Sequence, residues 1–96
     1  MADHRIGGKF TGCHSALDDA CGPLDAAAKL GCVSKIVLTG TEGRLRAVGR
    51  RMTFKTMQGG WEVCFRSGQL GQTVYVYTDA PEKTKDAMRR AFRKRH

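Results

Sequence analysis

Cys13, His14 and Asp18 lie within six residues of one another, and a thiol, an imidazole and a carboxylate are together able to hold a borderline-soft cation. His14 and Asp18 are four apart, so a helix beginning there brings them to one face. Cys64, on the polar side of a later strand, is a further soft donor. The ion these residues suit is zinc or another transition metal. The competing reading is a helix cap beside incidental cysteines. The four cysteines (Cys13, Cys21, Cys32, Cys64) form no Cys-x-x-Cys pair, so no structural zinc module is indicated and no cofactor is required. They fit a reducing compartment and need not pair; Cys21 falls in an apolar stripe and reads as core.

Catalytic constellations are thin. Asp18 and Asp19 are adjacent, so on a helix they point ~100° apart and make a poor acid–base pair. His14 and Ser15 are adjacent as well, which is no nucleophile–base geometry. In Gly8-Lys9-Phe10-Thr11 the Thr does not directly follow the Lys, and no strong strand precedes it, so this is not a phosphate loop. The chain is not expected to be an enzyme.

Binding has stronger support, because the positive charge is clustered. The net charge is +8 over 96 residues, and seven of the 17 Lys and Arg fall in the last fourteen positions: Lys83, Lys85, Arg89, Arg90, Arg93, Lys94 and Arg95. Five more (Arg44, Arg46, Arg50, Arg51, Lys55) occupy a twelve-residue stretch without an acid. Two dense clusters produce a field that gathers a polyanion. Tyr75 and Tyr77 share one face of a strand and Val74 and Val76 the other. Turned outward beside Lys55 or Arg66, the tyrosines are stacking platforms for unpaired bases; turned inward, they are core residues with a hydroxyl partner.

The elements that must position these groups follow from periodicity. A hydrophobic fraction of 41% and a charged fraction of 27% suit one folded domain. No apolar run approaches the ~18 residues of a membrane span, and Met1 to Arg5 carry no signal-like apolar region, so no membrane association and a cytoplasmic location are expected. Residues 1–12 read as a flexible Gly-rich arm or an edge strand tethered by Ile6 and Phe10, and residues 13–96 as a single α+β domain. Ser15 with Asp18 marks a helix start. The following stripe of Leu17, Ala20, Cys21, Leu24, Ala27, Ala28 and Leu30 is broken by Gly22-Pro23, which predicts a kink or two short helices in sequence, and Gly31 is its stop.

Strands are expected at residues 32–39, 52–56, 61–66 and 72–78 from their alternation and turn residues. If the first two form a hairpin, Arg44, Arg46, Arg50 and Arg51 crowd its tip, where mutual repulsion calls for an anionic partner. Asp79 and Glu82 around Pro81 form a capping box for a last helix. Its buried stripe is Thr84, Ala87, Met88, Ala91 and Phe92, and Arg89, Arg90, Arg93 and Lys94 fall off that stripe. The expected architecture is a two-layer sandwich: a mostly antiparallel four-stranded sheet with a kinked N-terminal helix and a basic C-terminal helix on one face.

Three segments carry a resemblance: Gly-Lys-Phe-Thr-Gly-Cys-His-Ser (8–15), Val-Ser-Lys-Ile (33–36) and Gly-Gln-Thr-Val-Tyr-Val-Tyr-Thr (71–78). In that order they resemble a family of small prokaryotic proteins of unknown function, described as predicted metal-binding. The likeness spans most of residues 8–80, and it implies His14 as a candidate ligand.

The expected function is nucleic-acid binding, with RNA favoured because no helix-turn-helix or zinc-finger signature supports reading of a major groove. Its contacts are Arg44, Arg46, Arg50, Arg51, Lys55, Arg89, Arg90, Arg93 and Lys94 on phosphates, with Tyr75 and Tyr77 stacking. The alternatives are a metal-binding protein using Cys13, His14 and Cys64, and a module that docks an acidic protein partner through its basic helix.

Overall fold

The computed structural model describes residues 2–5, 20–39, 45 and 50–95, with side chains placed for all but residues 2–5 and 95. The readings made above for Ile6, Phe10, residues 13–19, 40–44 and 46–49 lie outside the described residues. Within them the order is β1 (Ala2–Arg5), α1 (Cys21–Lys29), β2 (Val33–Leu38), β3 (Arg51–Met57), β4 (Gly60–Ser67), β5 (Leu70–Thr78) and α2 (Pro81–Arg95).

The strands form one open antiparallel sheet in the order β1-β2-β5-β4-β3. It has five strands rather than four, because Ala2–Arg5 pair with β2 as an edge strand. Two-residue turns at Gln58-Gly59 and Gly68-Gln69 fix β3-β4-β5 as a meander. At the first of these Gly60 is obligatory, since a Cβ there would collide with the Val76 carbonyl.

The hairpin expected between the first two long strands does not form. β2 pairs with β1 and β5, and β3 is the far edge of the sheet. β5 and β4 stand between β2 and β3, which are three steps apart along the order. β5 is thereby central and hydrogen-bonded on both sides.

Alternation decides what each strand buries. Ile36 and Leu38 face Val76 and Val74 across β2 and β5, and Trp61 and Val63 face the same two valines from β4. These residues, with Phe65, Val33 and Leu45, form the core with Leu24, Ala27 and Ala28 of α1 and Met88 of α2. The helices also pack on one another, so both cover the same face of the sheet. The α+β two-layer architecture is as the pattern predicts.

Local details refine the pattern in three places. α1 as described starts at Cys21, which puts Gly22 and Pro23 in its first turn, where a missing N–H is tolerated; the chain on the far side of the expected kink lies outside the described residues. Gly31, at φ +80°, ends it as expected. Cys21 is half-buried against the core and disulfide-bonded, while Cys32 and Cys64 are free. The sequence did not require the cysteines to pair, and Cys21 does. At the start of α2, Pro81 is the first helical residue, and the Thr78 hydroxyl accepts the Ala80 N–H at 3.1 Å. That hydroxyl, not the Asp79 carboxylate, fixes how the chain enters the helix. Among the described residues no helix is long and apolar enough to cross a membrane.

Candidate nucleic-acid interface

Since both helices lie on one side, the described helices leave the other side of the sheet open. Its residues are the alternate set: Lys35 and Val37 on β2, Thr73, Tyr75 and Tyr77 on β5, Glu62, Cys64 and Arg66 on β4, and Arg51, Thr53 and Lys55 on β3. The register sets them in rows. Lys35 stands across from Tyr77, Val37 from Tyr75, Tyr75 from Glu62, and Glu62 from Lys55. Further along, Thr73, Cys64 and Thr53 form one row and Arg66 and Arg51 the next.

The orientation of the tyrosines is thereby resolved. Val74 and Val76 are fully buried, and Tyr75 and Tyr77 are half-buried on the open face. The rings thus lie outside the core that the described helices and Val74 and Val76 build. Lys35 Nζ stands 4.7 Å from the centroid of Tyr77, within range of a cation–π attraction. Among the described residues no cation stands over Tyr75. Glu62 is the one acid among the face residues named above, against Lys35, Lys55, Arg51 and Arg66.

Arg51, Thr53, Cys64 and Arg66 line a cleft of about 220 Å³ on this face. Arg51 and Arg66 are directly opposed across β3 and β4, both are exposed, and among the described residues neither is in an ion pair. Sequence reasoning listed Arg51 but missed Arg66 as a partner; the signal is the pairing register, which no linear motif encodes.

The basic helix is on the opposite side. Arg89, Arg90, Arg93 and Lys94 are all exposed, yet two of the helix's cations turn back onto the sheet edge. Lys85 Nζ is 4.7 Å from the Trp61 centroid and 5.7 Å from that of Phe54, and the Arg89 guanidinium carbon is 5.4 Å from the Phe54 ring. Phe54 and Trp61 meet edge to face at 5.7 Å, and the indole N–H donates to the Pro81 carbonyl at 2.7 Å. Met52, Arg89, Phe92 and Arg93 line a shallow groove of about 380 Å³. The sequence offered α2 and the Arg44–Lys55 segment as two clusters contacting one polyanion. The structure separates them: Met52 and Phe54 meet α2, while Arg51, Thr53 and Lys55 alternate to the open face. Arg50 is exposed just before β3, and Arg44 and Arg46 lie outside the described residues.

The proposed metal ligands Cys13 and His14 also lie outside them. Among the described residues no three His, Cys, Asp or Glu gather as a metal site. Cys64 has Thr53, Thr73 and the two cleft arginines around it, a setting that suits an anion better than a cation.

A second thiol was overlooked in the sequence. Cys32 Sγ lies 3.5 Å from Thr84 Oγ1 and accepts from Thr78 Oγ1 at 3.6 Å, and the two hydroxyls are 2.7 Å apart. Partial burial pushes the Cys32 pKa up. The hydroxyls of Thr84 and Thr78, its own backbone N–H and the Lys83 ammonium outweigh this and hold it below the ordinary thiol value.

The fold and site thus define an antiparallel α+β sandwich with aromatic and cationic groups on the sheet face that the described helices leave uncovered. Compared with known proteins, the chain matches no family model, no curated protein and no solved structure.

Proposed function

We propose that the protein binds single-stranded nucleic acid, RNA ahead of DNA, on the open face of its sheet. The observation that carries this reading is the placement of Tyr75 and Tyr77 on the central strand, uncovered by the described helices. They stand among four cations and one acid. Every base has a π-face, so accessible parts of aromatic rings on a rigid strand stack unpaired bases with little regard to sequence. The surrounding Lys and Arg meet the phosphates that accompany those bases. RNA comes first because recognition of splayed, unpaired bases on an open sheet is chiefly an RNA mode. The cations of α2 form a second surface around the β3 edge and add affinity to strands long enough to pass that edge.

Anisotropy titrations with labelled single- and double-stranded RNA and DNA test the reading. Tight, salt-sensitive binding of single strands supports it. A preference for duplex would transfer the function to α2. Copurification of an acidic protein, with no strand bound, would instead favour docking through the groove of Met52, Arg89, Phe92 and Arg93, where apolar and cationic groups alternate.

A further inference from the structure

We infer that the cleft of Arg51, Thr53, Cys64 and Arg66 is a phosphate-monoester site. On the reading proposed above, on which this assignment of the ligand's source rests, it takes the terminal phosphate of the bound strand.

Like charges directly opposed across a strand pair destabilise a sheet. Arg51 and Arg66 are so opposed, on the exposed face, with no carboxylate in ion-pair range among the described residues. An anion between them removes the repulsion and takes up the donors of two guanidiniums, whose planar forks match phosphate oxygens. Thr53 and Cys64, the cross-strand pair two positions along β3 and β4, line the inner end of the cleft with a hydroxyl and a thiol. The position of Arg66 is itself prepared. A Cβ on Gly71, its partner on β5, would lie 2.8 Å from Arg66 Cγ, so the bare glycine leaves room for the stem of that side chain.

Size and charge select the ligand. About 220 Å³ is below the ~300–1,000 Å³ of pockets that engulf drug-sized ligands, and it has room for one tetrahedral group with water. Two guanidiniums balance a monoester, which carries about −1.5 to −2 near neutrality, better than an internal diester with its single charge. The location suits a strand end. Thr73, in the row of Cys64, is two residues from Tyr75 on the same face of β5, a separation of ~7 Å. A base on Tyr75 thus has its terminal phosphate within reach of the cleft.

The test compares one oligonucleotide bearing a 5′-phosphate, a 3′-phosphate or hydroxyls at both ends. One phosphorylated end is expected to bind about tenfold more tightly than the hydroxyl form, the scale of one charge-assisted hydrogen-bond set. Arg51→Ala and Arg66→Ala should each weaken every strand somewhat and, in addition, bring the phosphorylated forms down to the affinity of the same variant for the hydroxyl-ended strand. Equal affinity for all three ends, or an advantage that survives both substitutions, would overturn the inference and leave the general strand-binding reading standing. If no oligonucleotide binds, that reading falls, and inorganic phosphate then tests the cleft alone by the amide signals of Thr53 and Cys64. Saturable shifts confined to the cleft would uphold the monoester site with another source of phosphate, and their absence would overturn it.

Discussion

Two tyrosines alike in sequence differ in what surrounds their rings, and this predicts different consequences for their loss. Tyr77 has the Lys35 ammonium over it, so an incoming base must share or displace a cation there. Tyr75 carries no such partner among the described residues. Replacing either by Ala should weaken single-strand binding by ~1–3 kcal/mol, the range for one base–aromatic stack, with Tyr75 the larger loss. Titrations of both variants check the order. At Cys32 the lowered pKa has a signed consequence. A thiol whose folded pKa lies below its unfolded value stabilises the fold most above the unfolded value, and loses that contribution as pH falls through the folded value. The stability advantage of the wild type over Cys32→Ser should therefore grow as pH rises toward the ordinary thiol range. Denaturant melts at several pH values measure it. A flat difference would mean the hydroxyls of Thr78 and Thr84 do not favour the thiolate.

Among the elements, β4 joins the two sides of the molecule. Trp61 and Phe65 face the helices, Cys64 and Arg66 the open side, and Gly60 must pass under the Val76 carbonyl. Gly60→Ala should cost at least ~1–3 kcal/mol, as overpacking does, and lower the Tm by ~4–8 °C for each kcal/mol in a domain of this size. Trp61→Phe should lose the bond to Pro81 and cost ~0.5–1.5 kcal/mol, read from thermal unfolding. At this scale the sequence was largely legible. The alternation of Trp61, Val63 and Phe65 and of Val74 and Val76 named the buried face of two strands, and the stripe ending in Phe92 named the docking side of α2. The pairing of β2 with β5 was not legible, because a long connection carries no register information. Nor was the side on which Tyr75 lies, since alternation separates two faces without saying which one the helices cover. Arg66 was missed for the same reason: its importance comes from facing Arg51, and pairing is a property of the assembled sheet.

At the scale of the whole molecule, the net charge is +8, and the sheet divides its described cations between two surfaces with different company. On the open side Lys35, Lys55, Arg51 and Arg66 accompany aromatic rings. On the helical side Arg89, Arg90, Arg93 and Lys94 are exposed and Lys85 lies against Trp61. A short strand bound on the open side should therefore be insensitive to Arg90→Ala with Lys94→Ala, and a longer one should weaken. The salt dependence has the same origin. Each phosphate neutralised on a single strand contributes about −0.7 to the slope of log affinity against log salt, so removing Lys55 or Arg66 should flatten the slope by about that amount.

The measurement that bears most directly on the open-face account is a salt titration of a short single-stranded RNA against the wild type and a Tyr75→Ala/Tyr77→Ala double variant. The account predicts steep salt dependence in both proteins. It also predicts a loss of affinity in the variant that persists at every salt concentration, because stacking does not depend on counterion release. Equal affinities at all salt concentrations, or a wild type that binds no single strand even at low salt, would contradict it.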